Sequence, residues 1–113
     1  MISKALTAAS TKPIILSILL AGEDYGYSII QKVKEASGGT LEWSDGMLYP
    51  VLQRMEREGL IASRWIVSEE GRYRKYYTIT ADGRKELDSE MAQWRKVYEA
   101  LTKLCRPLAA ARS

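Results

Sequence analysis

Apolar residues recur along this chain with a helical spacing up to about residue 58, alternate over a short stretch, and then return to a helical spacing. Residues 13–21 (PIILSILLA) open with a proline suited to the first turn of a helix and stop at Gly22. Upstream, Met1 to Lys12 holds Leu6 and several alanines, and reads as an arm or a kinked extension of that helix. After a turn at residues 22–24, a second helix covers residues 25–36, with Ile29, Ile30 and Val33 on one side and a stop at Ser37-Gly38-Gly39. A third covers residues 44–58, with Ser44 as N-cap, Leu48, Val51, Leu52 and Met55 at steps of three or four, and Gly59 as terminator. Pro50 sits inside it, either in the early turns or at a kink.

From Leu60 the pattern turns β-branched and aromatic. Residues 60–67 and 72–80 read as two strands joined by the turn Ser68-Glu69-Glu70-Gly71. Tyr77 alternates with Tyr76 and is expected to pack on the core. Thr80 then caps a last helix over residues 81–105, and residues 106–113 read as a frayed tail. On this helix Leu87, Met91, Trp94, Tyr98, Leu101 and Cys105 recur at steps of 4, 3, 4, 3 and 4.

The order helix, helix, helix, strand, strand, long helix predicts a mainly α chain with a small β-hairpin. Residues 1–80 form a winged helix-turn-helix domain and residues 81–105 a C-terminal dimerisation helix. A 25-residue helix is about 37 Å long, more than a chain of 113 residues can cover by itself. The seam of Leu87, Met91, Trp94, Tyr98 and Leu101 is therefore expected to meet the same helix of a second copy, giving a two-fold homodimer.

Composition narrows the chemistry. The chain has no histidine and one cysteine, Cys105, which removes the commonest general base and the commonest metal ligands. No cofactor, no metal site and no enzymatic activity are expected, and the lone thiol suits the cytoplasm. The apolar run from Ile14 to Ala21 is too short to span a bilayer, so no membrane partner is expected. A net charge of +3 permits nucleic-acid binding without requiring it.

A helix-turn-helix lays its recognition helix in the major groove of double-stranded DNA. Here that helix offers Ser44, Tyr49, Gln53 and Arg54 to phosphates and base edges. A plain surface helix remains an open reading, because Arg54, Glu56, Arg57 and Glu58 mix both signs. The hairpin adds Arg72, Arg74 and Lys75, interleaved with Tyr73, Tyr76 and Tyr77, which suits phosphate or minor-groove contact. Residues 44–86 carry eight Lys/Arg against seven Asp/Glu, so any DNA contact must be geometrically focused. A winged-helix adaptor that binds protein is the alternative.

Residues 45–61 (DGMLYPVLQRMEREGLI) and 71–87 (GRYRKYYTITADGRKEL), with Tyr25-Gly26-Tyr27, resemble the PadR family of transcriptional regulators, in particular its compact members with a single C-terminal helix. The resemblance implies a dimeric, usually repressing regulator that leaves its operator when a small molecule binds. By position, Tyr49 and Arg54 fall on recognition-helix sites and Arg74 and Lys75 on the wing. Trp94 falls where the compact members place paired tryptophans around a central pore. Met47 stands where the family usually has threonine, and Pro13 and Tyr98 replace pore-lining residues. Two roles for Trp94 stay open. It fills core space between the last helix and the first, or it lines an apolar slot with Leu6, Met91 and Tyr98 in which planar aromatic compounds stack.

Overall fold

The computed structural model describes residues 1–105, and the expected tail at 106–113 lies outside the described residues. The first helix, α1, spans Lys4–Ala21 and passes through Pro13. It starts earlier than the expected Pro13 because Ser3 caps it, accepting the Leu6 amide at 3.1 Å. An internal proline removes one amide donor and crowds the turn before it. Hydroxyls engage the carbonyls nearby: Thr11 donates to Thr7 and Ser17 to Pro13, both at 2.7 Å. The segment read as an arm is thus helical. The same extension corrects the membrane argument, since the full helix is long and apolar enough to cross a bilayer by length and composition. Its residues Ile15, Leu16 and Leu19 are instead buried in the protein core.

A two-residue strand follows where a turn was expected: β1, Asp24–Tyr25. Helix α2 is Gly26–Ala36 and helix α3 is Asp45–Arg57, with Pro50 inside it. Ser44 caps α3 by accepting the Met47 amide at 3.2 Å. Gly59, at φ +77°, lets the chain reverse out of the helix, and the Leu60 amide then donates to the Met55 carbonyl at 3.0 Å. Strands β2, Ile61–Val67, and β3, Tyr73–Ile79, form the hairpin, in register from Ile61 opposite Ile79 to Val67 opposite Tyr73. β1 pairs antiparallel with the other edge of β3, so the sheet has three strands in the order β1-β3-β2. That third strand supplies cover for a hairpin that is marginal alone.

The core gathers one face from each element: Ile15, Leu16 and Leu19 of α1, Ile29 and Val33 of α2, Leu48, Leu52 and Met55 of α3, and Ile61 and Tyr77 of the sheet. Tyr77 is buried as its alternation predicts.

The last helix, α4, spans Ala81–Leu104. Thr80 caps it, accepting the Gly83 amide at 3.0 Å. The same hydroxyl lies 2.6 Å from the Gly59 carbonyl, which fastens the start of α4 to the end of α3. Gly83 sits against the Leu60 carbonyl so closely that a Cβ would collide with it. Leu87 is only 5% exposed and belongs to the protomer's own core, which corrects its assignment to the dimer seam. Farther along, α4 meets α1 through Lys12, whose Nζ lies 3.2 Å from Glu86 and 3.5 Å from Glu90. Burial lowers the Lys12 pKa, but the two carboxylates outweigh it and hold the ammonium above the ordinary lysine value. Beyond that point Val97, Tyr98, Leu101 and Leu104 are exposed, and the described residues extend to 59 Å along their longest axis.

Candidate nucleic-acid interface

Helix α3, the N-terminus of α2 and the hairpin enclose a groove of about 540 Å³, lined by Tyr25, Gly26, Tyr27, Tyr49, Gln53, Trp65, Tyr73, Arg74, Lys75 and Tyr77. Amphipathic spacing produces this arrangement. With Leu48, Leu52 and Met55 turned to the core, Tyr49 and Gln53 emerge on the outer side of α3. Tyr49 is 41% exposed and lays its ring across Gly26, where the space normally filled by a Cβ takes its hydroxyl. Gly26 is therefore required by close approach.

The residues expected to contact DNA are not equally available. The Ser44 hydroxyl is engaged as a helix cap. Arg54 is exposed and only loosely paired with Glu58, at 3.8 Å along the helix surface. Arg72 is exposed and forms no ion pair among the described residues. Arg74 lies 4.6 Å from the centre of the Tyr25 ring, which in turn packs tilted on Tyr76 at 5.3 Å. Lys75 is the exception to the expected free wing cation. Its Nζ lies 3.7 Å from Glu56 of α3 and 5.7 Å from the centre of the Tyr77 ring.

Glu56 ties hairpin and recognition helix together, because the Ser63 hydroxyl also donates to it at 2.6 Å. Burial raises the pKa of the Tyr77 hydroxyl, with the Glu56 charge and Tyr49 adding to the effect. On the opposite sheet face Arg64 forms a two-pronged bridge to Glu23, with contacts as short as 2.8 Å. The same strand carries a residue that sequence reasoning passed over. Trp65 stands 65% exposed on the groove wall, beside Tyr73 at 70%. Alternation in LIASRWIV marked a strand, but nothing in it showed which side would lack cover.

A second cavity, of about 440 Å³, lies between α1, α2 and α4. Pro13, Ile14, Ile18, Val33, Met91 and Trp94 make it apolar, and Lys32 at its edge is paired with Asp24 at 2.7 Å. Trp94 is oriented by its indole N–H, which donates to Glu90 at 3.3 Å. Met91 and Trp94 thus share a cavity as expected, whereas Leu6 and Tyr98 are not among its walls. Leu6 is too far toward the start of α1, and Tyr98 lies a turn beyond Trp94 in a shallow depression with Arg95 and Glu99. Among the described residues no cluster of metal-ligating side chains occurs.

Known proteins share this architecture. The chain is 28% identical to a transcriptional regulator from Clostridium thermocellum, over 91% of this chain and 97% of that one, with a TM-score of 0.83. A PadR-like transcriptional regulator from Bacillus cereus is 31% identical over 89% of this chain and 96% of its own, with a TM-score of 0.78. An uncharacterised protein of Lysinibacillus sphaericus is 32% identical over 78% of this chain and 81% of its own. The negative transcriptional regulator PadR of Bacillus subtilis is 30% identical over 77% of this chain, which spans about half (48%) of that regulator's length. Regulators of this kind bind DNA and are generally dimeric. Residues 15–89 match the transcriptional regulator PadR-like family, and the chain belongs to it, as a DNA-binding regulator and not an enzyme.

Proposed function

We propose that this regulator is a cytoplasmic homodimer that represses by holding operator DNA, and that a planar, largely apolar small molecule releases it. The observation that carries the proposal is the outer part of α4. Val97, Tyr98, Leu101 and Leu104 are exposed there, and the same helix leads back through Trp94 and Met91 into an apolar cavity. A second α4 is the economical cover for such a stripe. A two-fold pair of recognition helices then suits a palindromic site.

In this reading Tyr49, Gln53 and Arg54 face the bases and nearby phosphates, while Arg72 and Arg74 meet phosphates from the wing. Lys75 serves through Glu56 to set the wing's angle, and Ser44 serves as a cap. Dimer contacts come from Met91, Trp94, Tyr98 and Leu101. An effector seated against Trp94 touches α1, α2 and α4 together, so it shifts the spacing of the DNA-reading heads to the extent that it prefers one spacing.

The test is a duplex recovered by selection from random DNA. The parent should bind it as a dimer, with a steep dependence on salt. Planar dyes should quench tryptophan fluorescence and weaken that binding, and Trp94→Ala should lose most dye affinity. A monomer in sedimentation equilibrium sinks the dimer, and a Trp94→Ala protein that binds dye as tightly as the parent sinks the effector site.

A further inference from the structure

The hairpin has two unlike faces. On one, Arg64 is bridged to Glu23, and Arg74 lies on Tyr25 beside Tyr76, so both cations have partners. On the other, the register places Ser63, Trp65 and Val67 opposite Tyr77, Lys75 and Tyr73. The base of this second face is closed by Glu56, which holds Ser63 and Lys75. Its outer part is open, with Trp65, Val67 and Tyr73 all exposed. Trp65 and Tyr73 line the groove whose other wall carries Tyr49 and Gln53 of α3.

We propose that Trp65 and Tyr73 form an apolar reading edge that packs on the deoxyribose walls of the DNA minor groove beside the site held by α3, supplying affinity that does not depend on salt. This rests on the DNA-binding function stated above. The occupant follows from charge as well as shape. Arg72 and Arg74 flank the aromatic patch, and Arg54 lies on the neighbouring helix, so the surface suits a polyanion that also presents apolar sugar faces. The wing is also poor in free positive charge. Lys75 is already matched by Glu56, and Glu69 and Glu70 occupy the turn. Contact area must then supply what charge does not. Apolar contact at a groove edge favours sites that widen or kink easily, so the edge also selects sequence flanking the directly read bases.

Binding to a duplex recovered by selection from random DNA, measured over a series of salt concentrations, tests this. Trp65→Ala should weaken binding about tenfold while the slope of log affinity against log salt stays that of the parent. Trp65→Phe should recover most of the loss. Arg72→Ala should behave oppositely, flattening the slope by about 0.9. Because Trp65 and Tyr73 are both exposed, the melting temperature should hold, and Tyr73→Ala carries the test if Trp65→Ala folds poorly. If both alanine variants bind like the parent while Arg72→Ala still flattens the slope, the reading edge is wrong and the DNA-binding function stands. A fall in dimer mass on Trp65→Ala makes the face an interface between copies and overturns the inference. A parent that binds no selected duplex defeats the DNA-binding reading itself.

Discussion

Helices α3 and α4 are both amphipathic, both capped by a hydroxyl residue, and both continuous. Their apolar faces nevertheless meet different fates. In α3, Leu48, Leu52 and Met55 are all fully buried by the protomer's own α1, α2 and sheet. In α4 only Gly83 and Leu87, near its start, are buried, and the later members of the seam are not. Periodicity thus reports that a face wants cover and is silent about which surface supplies it. One helix completes a fold, and the other extends a request to something outside it.

That contrast can be broken or sharpened by substitution. The largest effect belongs to Leu52→Ala, which opens a cavity in a fully buried site and should cost about 3 kcal/mol. Chemical denaturation should show the loss at every protein concentration, because the contact lies within one protomer. A comparable truncation on α4 should act differently. Leu101→Asp should leave the protomer folded but raise the dimer dissociation constant about thirtyfold, some 2 kcal/mol. Its melting temperature should therefore depend on protein concentration more strongly than the parent's. A concentration-independent loss there would place Leu101 in a protomer core and erase the contrast.

Smaller effects probe the two helices' polar sides. Tyr49→Phe should cost about 1 kcal/mol of operator affinity, read by titration, with the melting temperature nearly unchanged. Lys12→Met should cost no more than about 0.5 kcal/mol, as for an ion pair in partial contact with water. The sign of its pH dependence follows from the raised Lys12 pKa. Protonation is favoured by folding, so this stability is complete below about pH 10.4, the ordinary lysine value, and is lost as the pH rises past the folded value. Removing Lys12 should flatten that alkaline loss of stability. Tyr77 titrates in the same sense, and the part it contributes should persist in the variant.

Much of the fold was legible because it rests on local chemistry. Ser44 and Thr80 as caps, Gly59 as a helix stop and Tyr77 as a core residue all follow from short stretches of sequence. What escaped depended on distant partners. Pro13 suggested a helix start, and the cap at Ser3, ten residues earlier, was the stronger signal. β1 consists of two residues whose partners, Tyr76 and Tyr77, lie far along the chain, so no periodicity could reveal it. Of the groove, Tyr49, Gln53 and Arg74 were anticipated from helix spacing and charge. Trp65 was not, because strand alternation does not tell a covered face from an open one. Lys75 was taken as free because its tie to Glu56 joins segments that are neighbours only after folding.

The joint at Thr80 and Gly83 has a mechanical consequence. Thr80 lies against the carbonyl of Gly59, immediately past the recognition helix, and Gly83 leaves no slack against Leu60. The base of α4 is therefore a fulcrum set beside the DNA-reading element, and its 24 residues form an arm about 36 Å long. A tilt of about 10° at that fulcrum displaces the far end by about 6 Å, comparable with the pitch of a helical turn. Operated in reverse, a modest shift between two paired arms near Trp94 becomes a reorientation of the heads attached to them. Rigidity at the fulcrum, more than flexibility anywhere else, is what lets a small displacement in the arm reach the DNA.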